Sequence, residues 1–333
     1  MVSNTRLIFK KVPRFHPIVG QHISLETGTF DLDAEPPEGG LTVKNLYISF
    51  DPYQRGCMRE PDDATWAPPF VPGQPIICGA VAQILRSTVS TLRTGDLVWG
   101  MFGAEEYSIV PSILLPYVRK LDNELELDPI LFTSALGTAG LSAYGSFYGI
   151  GKPKKGQTIF ISAASGGVGQ IVGQLAKLEG LRVIGSVGSE EKQGFIGIDI
   201  YFDNVGGETL DAALATIKDF GTIISCGMIS QYNLPIGEKY GVQNMMNIFL
   251  KRLTIQGFIV SDPQFLSEHA AEFFASMSVW LKEGKIKTKE SVTVGMQNAA
   301  TCYSDMFTGR NFGKAVLKVA DAESEQDGST RSI

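Results

Sequence analysis

The sequence predicts an α/β protein of two domains, a β-rich region followed by strands and helices that alternate into a parallel sheet. Three observations lead there. At 333 residues the chain exceeds the size at which a single hydrophobic core usually stops growing. Roughly the first 120 residues read as strands cut by turn chemistry. From Asp128 onward helical patterns alternate with short apolar runs, the signature of βαβ units.

In chain order, Leu41–Phe50 alternates well enough for a strand, and Ile76–Leu85, Leu97–Trp99 and Glu106–Val110 follow it. Between them lie Pro36-Pro37, Pro61, Pro68-Pro69, Pro72-Gly73 and Thr94-Gly95-Asp96, all turn formers, so the region suggests a small barrel or sandwich. The cleanest βαβ unit then runs from a strand at Thr158–Ser162, through a small-residue loop, to a helix at Val168–Glu179. Gly180 closes that helix, and a second strand occupies Arg182–Val187. Further strands are expected at Ile198–Asp203 and Gly221–Cys226, with helices at Glu208–Ile217 and Glu268–Glu283. Beyond Ala320 the polar tail carries no structural signal.

Composition narrows the function. Apolar residues make up 44% and charged residues 19%, as in a folded protein, and 37 glycines imply many turns and close backbone approaches. Twenty-nine basic against 35 acidic residues leave a net charge of −6 with no basic run. That argues against a nucleic-acid or membrane partner. Cys57, Cys78, Cys226 and Cys302 lie far apart with no CxxC pair, which fits a reducing compartment. The Met1–Lys11 segment lacks the apolar core of a signal peptide and no apolar run is long enough to span a bilayer, so a cytoplasmic protein is expected.

The segment Ala164-Ser165-Gly166-Gly167-Val168-Gly169 follows a predicted strand and opens a predicted helix. It is the dinucleotide-binding pattern GxGxxG with alanine in the first place. Gly166 lets a pyrophosphate approach the backbone without a Cβ in the way, Gly169 allows close helix–strand packing, and free N–H groups at the helix start face the anion. A tight βα turn without a ligand is the alternative. The second strand ends Val187-Gly188-Ser189, with no acid for a ribose hydroxyl. Gly188, Ser189 and Lys192 instead suit the 2′-phosphate of NADPH, unless Lys192 is an ordinary solvated lysine.

These residues, with Asp51-Pro52-Tyr53-Gln54-Arg55, Pro72–Ile76, Gly95–Gly100, Glu105–Ser108, Gly188–Lys192, Ile198–Gly207, Cys226–Asn233 and Gly309–Lys314, resemble the medium-chain dehydrogenase/reductase superfamily nearly end to end. More narrowly they resemble its zinc-free branch of NADP-dependent alkenal double-bond reductases and leukotriene B4 12-hydroxydehydrogenase/prostaglandin reductases. The resemblance implies a GroES-like catalytic domain from residues 1–122 and 288–320, a Rossmann doubly wound parallel sheet from 123–287, and a polar tail at 321–333. It also implies that Ser165, Gly166, Gly167, Val168, Gly169, Gly188 and Lys192 hold NADPH/NADP+ phosphates. Asn204, Cys226, Gly227, Met228, Ile229, Ser230, Phe258, Ile259, Val260 and Asn311 would line the rest of the cofactor. Relatives are commonly dimers, so a homodimer is part of the expectation.

Zinc-dependent relatives need a cysteine or aspartate, a histidine and another cysteine around the metal. Where they carry Gly-His-Glu this chain reads Cys78-Gly79-Ala80, and His16, His22 and His269 are scattered. No zinc is therefore expected. Hydride transfer to the β-carbon of an enone or enal asks less than direct carbonyl reduction, because the developing enolate needs only hydrogen-bond donors. The resemblance points to Tyr53, Tyr232 and the cofactor's ribose hydroxyl as those donors; packing with a satisfied hydroxyl is the alternative for both tyrosines.

One interval departs from the family. Only eight residues separate Ser189 from Ile198, whereas a parallel crossover with its helix needs about 10–12. The sheet is therefore expected to lack its third strand and the helices flanking it. Eight residues reach about 26 Å when extended, enough to cross the first strand. Three other functions remain open on sequence: a quinone oxidoreductase, a hydrolase using Ser165 as nucleophile with His269 as its base, and a non-catalytic truncated family member.

Overall fold

The computed structural model describes residues 1–63, 65–187 and 197–323. The chain divides into two compact units. One comprises Met1–Thr133, Ser291–Arg310 and Ala315–Ile333; the other comprises Ser134–Glu290 and Asn311–Lys314.

The first unit is built on β1 (Val2–Phe9), β2 (Ile23–Phe30), β3 (Leu41–Ser49), the short helix α1 (Gln54–Cys57), β4 (Ile77–Ser87), β5 (Leu97–Gly103), β6 (Tyr107–Val110) and β7 (Arg119–Lys120). β1 and β2 form an antiparallel pair from Val2↔Phe30 to Phe9↔Ile23. β3 runs antiparallel to β4 with two register shifts, and β6 pairs with β3 as well. Buried Asn45 sits at the second shift. Its amide donates to the carbonyls of Gly103 (3.2 Å) and Glu105 (2.8 Å) at the end of β5, satisfying acceptors outside the β3–β4 ladder. Leu7, Phe9, Val43, Ile48, Phe50, Ile84, Phe102 and Tyr303 meet in the core.

The second unit begins with α2 (Thr138–Ser146) and then alternates β8 (Thr158–Ile161), α3 (Gly169–Leu178), β9 (Arg182–Gly185), β10 (Ile198–Asp203), α4 (Gly207–Thr216) and β11 (Ile217–Ser225). After these come α5 (Asn247–Leu250), β12 (Thr254–Gly257) and α6 (Pro263–Lys282). The strands lie in the order β12-β11-β10-β8-β9, and all pairings are parallel. β8 is buried along its length and β10 nearly so, as expected of strands covered on both faces. β9 lies at the edge, and among the described residues no strand lies beyond it. Among the described residues the sheet therefore has the Rossmann order without a third strand.

The chain returns to the first unit through β13 (Glu290–Val294), α7 (Ala299–Thr308) and β14 (Lys314–Lys318), with β14 antiparallel to β3. Three boundaries correct the sequence reading. α6 starts at Pro263, with Asp262 before it, because proline fits the first helical position. β11 starts at Ile217, ahead of an irregularity at Phe220, whose φ is +60°. The tail is anchored at its root: Glu323 exchanges hydrogen bonds with Gln83 (2.8 and 3.1 Å) and pairs with Lys44 at 3.2 Å. Among the described residues no helix is long and apolar enough to cross a membrane.

Candidate active site

The loop from β8 to α3 is shaped by its own backbone. Ala163 adopts φ +49°, and its carbonyl accepts the Gly166 N–H at 2.9 Å. A Cβ on Gly169 would lie 2.4 Å from that carbonyl oxygen, and one on Gly167 2.8 Å from the Lys314 side chain. A Cβ on Gly166 would approach the Ala163 oxygen only to 3.2 Å. Gly169 is thus required by the loop's own turn. Helical hydrogen bonding begins with the Gln170 N–H donating to the Gly166 carbonyl. Among the described residues the N–H groups of Gly167, Val168 and Gly169 donate to no carbonyl. These are the unspent donors of a helix start, and with the helix dipole behind them they suit a phosphate.

At the neighbouring strand end the pattern is reversed. Asp203, last residue of β10 and fully buried, receives the Tyr201 hydroxyl (2.6 Å) and the N–H groups of Gly206 (2.8 Å) and Val205 (3.0 Å) on Oδ1. Gly206 and Gly207 hold positive φ, which turns the backbone into this cage. Burial pushes the Asp203 carboxyl above the usual aspartate range, opposed by those donors. The Asp203 carbonyl also accepts the N–H groups of Cys226 (2.9 Å) and Gly227 (3.0 Å) at the end of β11.

Asn204 bonds Ser162 through both its backbone N–H (2.9 Å) and its amide (2.8 Å). Its carbonyl takes the Ile229 N–H, and the Ser230 hydroxyl donates to Val205 at 2.6 Å. Asn204 and Cys226–Ser230 are therefore one connected surface at the carboxyl ends of the parallel strands, where such sheets bind ligands. Tyr232 closes it. Its hydroxyl accepts the Met228 N–H at 3.1 Å, which leaves the hydroxyl proton free to donate elsewhere. Burial raises this tyrosine above its ordinary value and the Met228 N–H opposes that, while Cys226 and Asp203 raise it further. The Cys226 thiol is pushed up to about 12 by burial and by Asp203.

Asn311 is brought to the glycine loop by its neighbours. The Gly313 N–H donates to the Ser165 carbonyl at 2.9 Å, and Asn311 bonds the Gly313 carbonyl at 2.8 Å. Phe258, Ile259 and Val260 follow β12, but the Phe258 ring stacks on Phe265 of α6 at 5.0 Å. Tyr53 lies in the first unit, just before α1, its ring 5.4 Å from that of Trp66. Among the described residues its hydroxyl has no hydrogen-bond partner. Burial raises it well above its ordinary value, with Asp51 adding to the shift, so it stays protonated. Gly188 and Lys192 lie outside the described residues.

Sequence reasoning missed Ser162, Tyr201 and Asp203, which hold the strand ends together. An acid closing the strand directly after Ile200-Tyr201-Phe202 and followed by Gly206-Gly207 was the available signal. A hydrolase finds no support: His269 packs on Phe265 at 4.8 Å and makes no hydrogen bond with Ser165. Nor do the residues fit zinc. Among the described residues no group of three or more His, Cys, Asp or Glu side chains could hold a metal. Cys78 is engaged with Gln54 at 3.1 Å, and the His22 ring accepts the Ile18 N–H at 3.0 Å.

Two family models match the chain: an N-terminal domain of oxidoreductases over residues 21–115, and a zinc-binding dehydrogenase over 186–317. A protein of Cochliobolus heterostrophus described as NADP-dependent oxidoreductase RED1 is 43% identical, covering 96% of this chain and 99% of that one. Their alignment runs over 348 positions, more than this chain's 333 residues, so it contains gaps on this side. A 2-alkenal reductase (NADP(+)-dependent) of Nicotiana tabacum is 39% identical over 96% of this chain and 98% of its own. Among solved structures, CurA from Vibrio vulnificus in complex with NADPH is 30% identical with a TM-score of 0.83, covering 95% of this chain and 99% of that one.

Proposed function

This chain belongs to the medium-chain dehydrogenase/reductase superfamily, in its branch of NADP-dependent alkenal double-bond reductases, and on that premise we propose that it reduces the C=C bond of α,β-unsaturated ketones and aldehydes. The coarser statement, an NADP-dependent oxidoreductase, follows from the relatives.

NADPH, when bound, supplies the hydride that adds to the β-carbon of the acceptor. The free N–H groups of Gly167–Gly169 are suited to its pyrophosphate, and Asn204, Cys226–Ser230 and Asn311 to the remainder. We assign Gly188 and Lys192 to the 2′-phosphate from the sequence alone. The observation that carries the reading is the Tyr232 hydroxyl. Its oxygen accepts the Met228 N–H, so the hydroxyl proton is not spent on that bond and can be donated to another acceptor. A donor aimed where negative charge develops is what an enolate needs. Tyr53, protonated and without a hydrogen-bond partner for its hydroxyl among the described residues, is the second candidate. No step is assigned to a metal.

The test follows NADPH oxidation with a panel of enones, enals and quinones. Enone or enal turnover is expected to exceed quinone turnover, and NADPH to be preferred over NADH. Tyr232→Phe should lower kcat roughly a hundredfold while leaving NADPH affinity near that of the unaltered protein. Quinone preference, or no saturable NADPH binding at all, would overturn the assignment.

A further inference from the structure

The place of the Tyr232 hydroxyl is set by its own short segment. It accepts the N–H of Met228, four residues earlier, at 3.1 Å, and it rests over Gly227, where a Cβ would lie 3.0 Å from the hydroxyl oxygen. Whatever fixes the course of residues 227–232 therefore fixes the donor. One 3₁₀ turn, Ile229–Gln231, carries that course. The Gln231 N–H donates to the Met228 carbonyl at 2.8 Å, while the Tyr232 N–H reaches the Ile229 carbonyl only at 3.5 Å. A turn of so few bonds has little rigidity of its own.

The turn is pinned from outside, by the residues that follow β10. The Ile229 N–H donates to the Asn204 carbonyl and the Ser230 N–H to the Val205 carbonyl, both at 3.2 Å. The short bond comes from a side chain: the Ser230 hydroxyl donates to that same Val205 carbonyl at 2.6 Å. Val205 is itself held by its N–H on Asp203 Oδ1 at 3.0 Å, so the pin is anchored in the buried cage.

Ser230 is exposed, and an exposed serine hydroxyl ordinarily turns among water partners. Here it is engaged in both directions. Its proton goes to Val205, and its oxygen accepts the Gln231 amide at 2.7 Å, while the oxygen of that amide takes the Tyr240 N–H at 2.8 Å. Gly207, at φ +54°, leaves room for the pair: a Cβ there would lie 3.0 Å from the Ser230 hydroxyl oxygen and closer still to the Gln231 amide nitrogen. Ser230 can line a cofactor with its backbone, but its hydroxyl has no proton left to offer one.

We propose that Ser230 is a positioning residue for the reduction: its hydroxyl, held between the Val205 carbonyl and the Gln231 amide, fixes the turn that presents the Tyr232 hydroxyl to the acceptor. This rests on the reductase reading above and adds to it a residue that acts through the donor without touching the reacting atoms. A donor displaced by a fraction of an ångström costs rate steeply, whereas cofactor binding is spread over many contacts.

Turnover of one enone, with NADPH affinity measured separately by fluorescence titration, tests it. Ser230→Ala should lower kcat roughly three- to tenfold and leave NADPH affinity within about twofold. Ser230→Thr keeps the hydroxyl and should restore most of the rate. In a Tyr232→Phe background, Ser230→Ala should lower kcat by less than about twofold further, because its effect passes through a hydroxyl that is gone. An NADPH loss as large as the kcat loss would make Ser230 a cofactor ligand and overturn the role. So would an unchanged kcat in Ser230→Ala, no restoration by threonine, or a full further loss in the Tyr232→Phe background. Each of these leaves the reductase reading standing. A Tyr232→Phe protein as fast as the unaltered one would remove the donor and this inference with it, and no enone turnover by the unaltered protein would remove the reductase reading as well.

Discussion

Two adjoining strand ends of the same sheet treat their backbone donors in opposite ways. After β8, the N–H groups of Gly167, Val168 and Gly169 are left without a carbonyl among the described residues. After β10, the N–H groups of Val205 and Gly206 are both directed at the protein's own Asp203 carboxyl. Each end depends on glycines, yet one leaves donors that we assign to the cofactor's phosphates and the other supplies its anion internally. The difference teaches where the ligand's charge belongs. A phosphate is stabilised where donors are free, while beside Asp203 a second anion would meet a carboxyl already held by the available N–H groups.

The sharpest way to break the comparison is to spoil the vacant end. Gly169→Ala places a Cβ 2.4 Å from the Ala163 oxygen, a separation that forces the loop to move. NADPH affinity measured by fluorescence titration should fall roughly tenfold to hundredfold. Gly166→Ala, whose Cβ would sit 3.2 Å from the same oxygen, should cost clearly less. Equal losses at the two positions would mean that the loop's turn does not set the donor geometry.

The occupied end should respond in stability. Asp203→Ala orphans the N–H groups of Val205 and Gly206 and leaves the Tyr201 hydroxyl only Ser162 at 3.1 Å, all in a buried setting, and about 3 kcal/mol of unfolding free energy should be lost in a denaturant titration. Its pH dependence has a definite sign. Burial raises the folded value of this acid above its ordinary 3.8, so the folded protein holds the proton more tightly than the unfolded chain. The associated stability is fully present below the unfolded value and is lost as pH rises through the folded one. Asp203→Asn should therefore flatten the stability profile above pH 4 or so relative to the unaltered protein. A steeper profile in the variant would reverse the assignment.

How much of this was legible beforehand differs between the same two ends. The glycine loop could be read because its function requires a local pattern: strand, glycines, helix, all within a dozen or so residues of chain. The parallel strands Thr158–Ile161 and Ile198–Asp203 were equally open to reading, since burial on both faces leaves short, mostly apolar stretches between turns. The Asp203 cage could not be read in the same way. Its partners Ser162, Tyr201 and Gly206 come together only once β8 and β10 are paired, and each alone has an ordinary explanation. β1 and β2 went unread because half of β2 is polar and their pairing fixes them more than either sequence does.

The smallest expected effect concerns how the vacant end is kept in shape. Gln170 and Gln174 lie one turn apart on α3, and each exchanges two hydrogen bonds with the backbone of the passing segment. Gln170 bonds the carbonyl and N–H of Lys289 (3.1 and 2.9 Å), and Gln174 those of Lys287 (2.7 and 2.9 Å). Two side-chain amides thus act as a length of neighbouring strand. The Lys289 carbonyl also accepts the Lys314 N–H (3.0 Å), next to Gly313, whose own N–H reaches Ser165. Gln170 is therefore linked to the glycine loop through two backbone steps, and Gln174 through more. Replacing either by leucine removes two exposed hydrogen bonds and should cost about 1 kcal/mol of stability. Only Gln170→Leu should in addition weaken NADPH binding, by roughly two- to threefold, because only its partner bears on the loop. The double variant should show the NADPH loss of Gln170→Leu alone. A further loss on adding Gln174→Leu would mean that α3 as a whole, rather than the Lys289–Lys314 bond, carries the effect to the glycine loop.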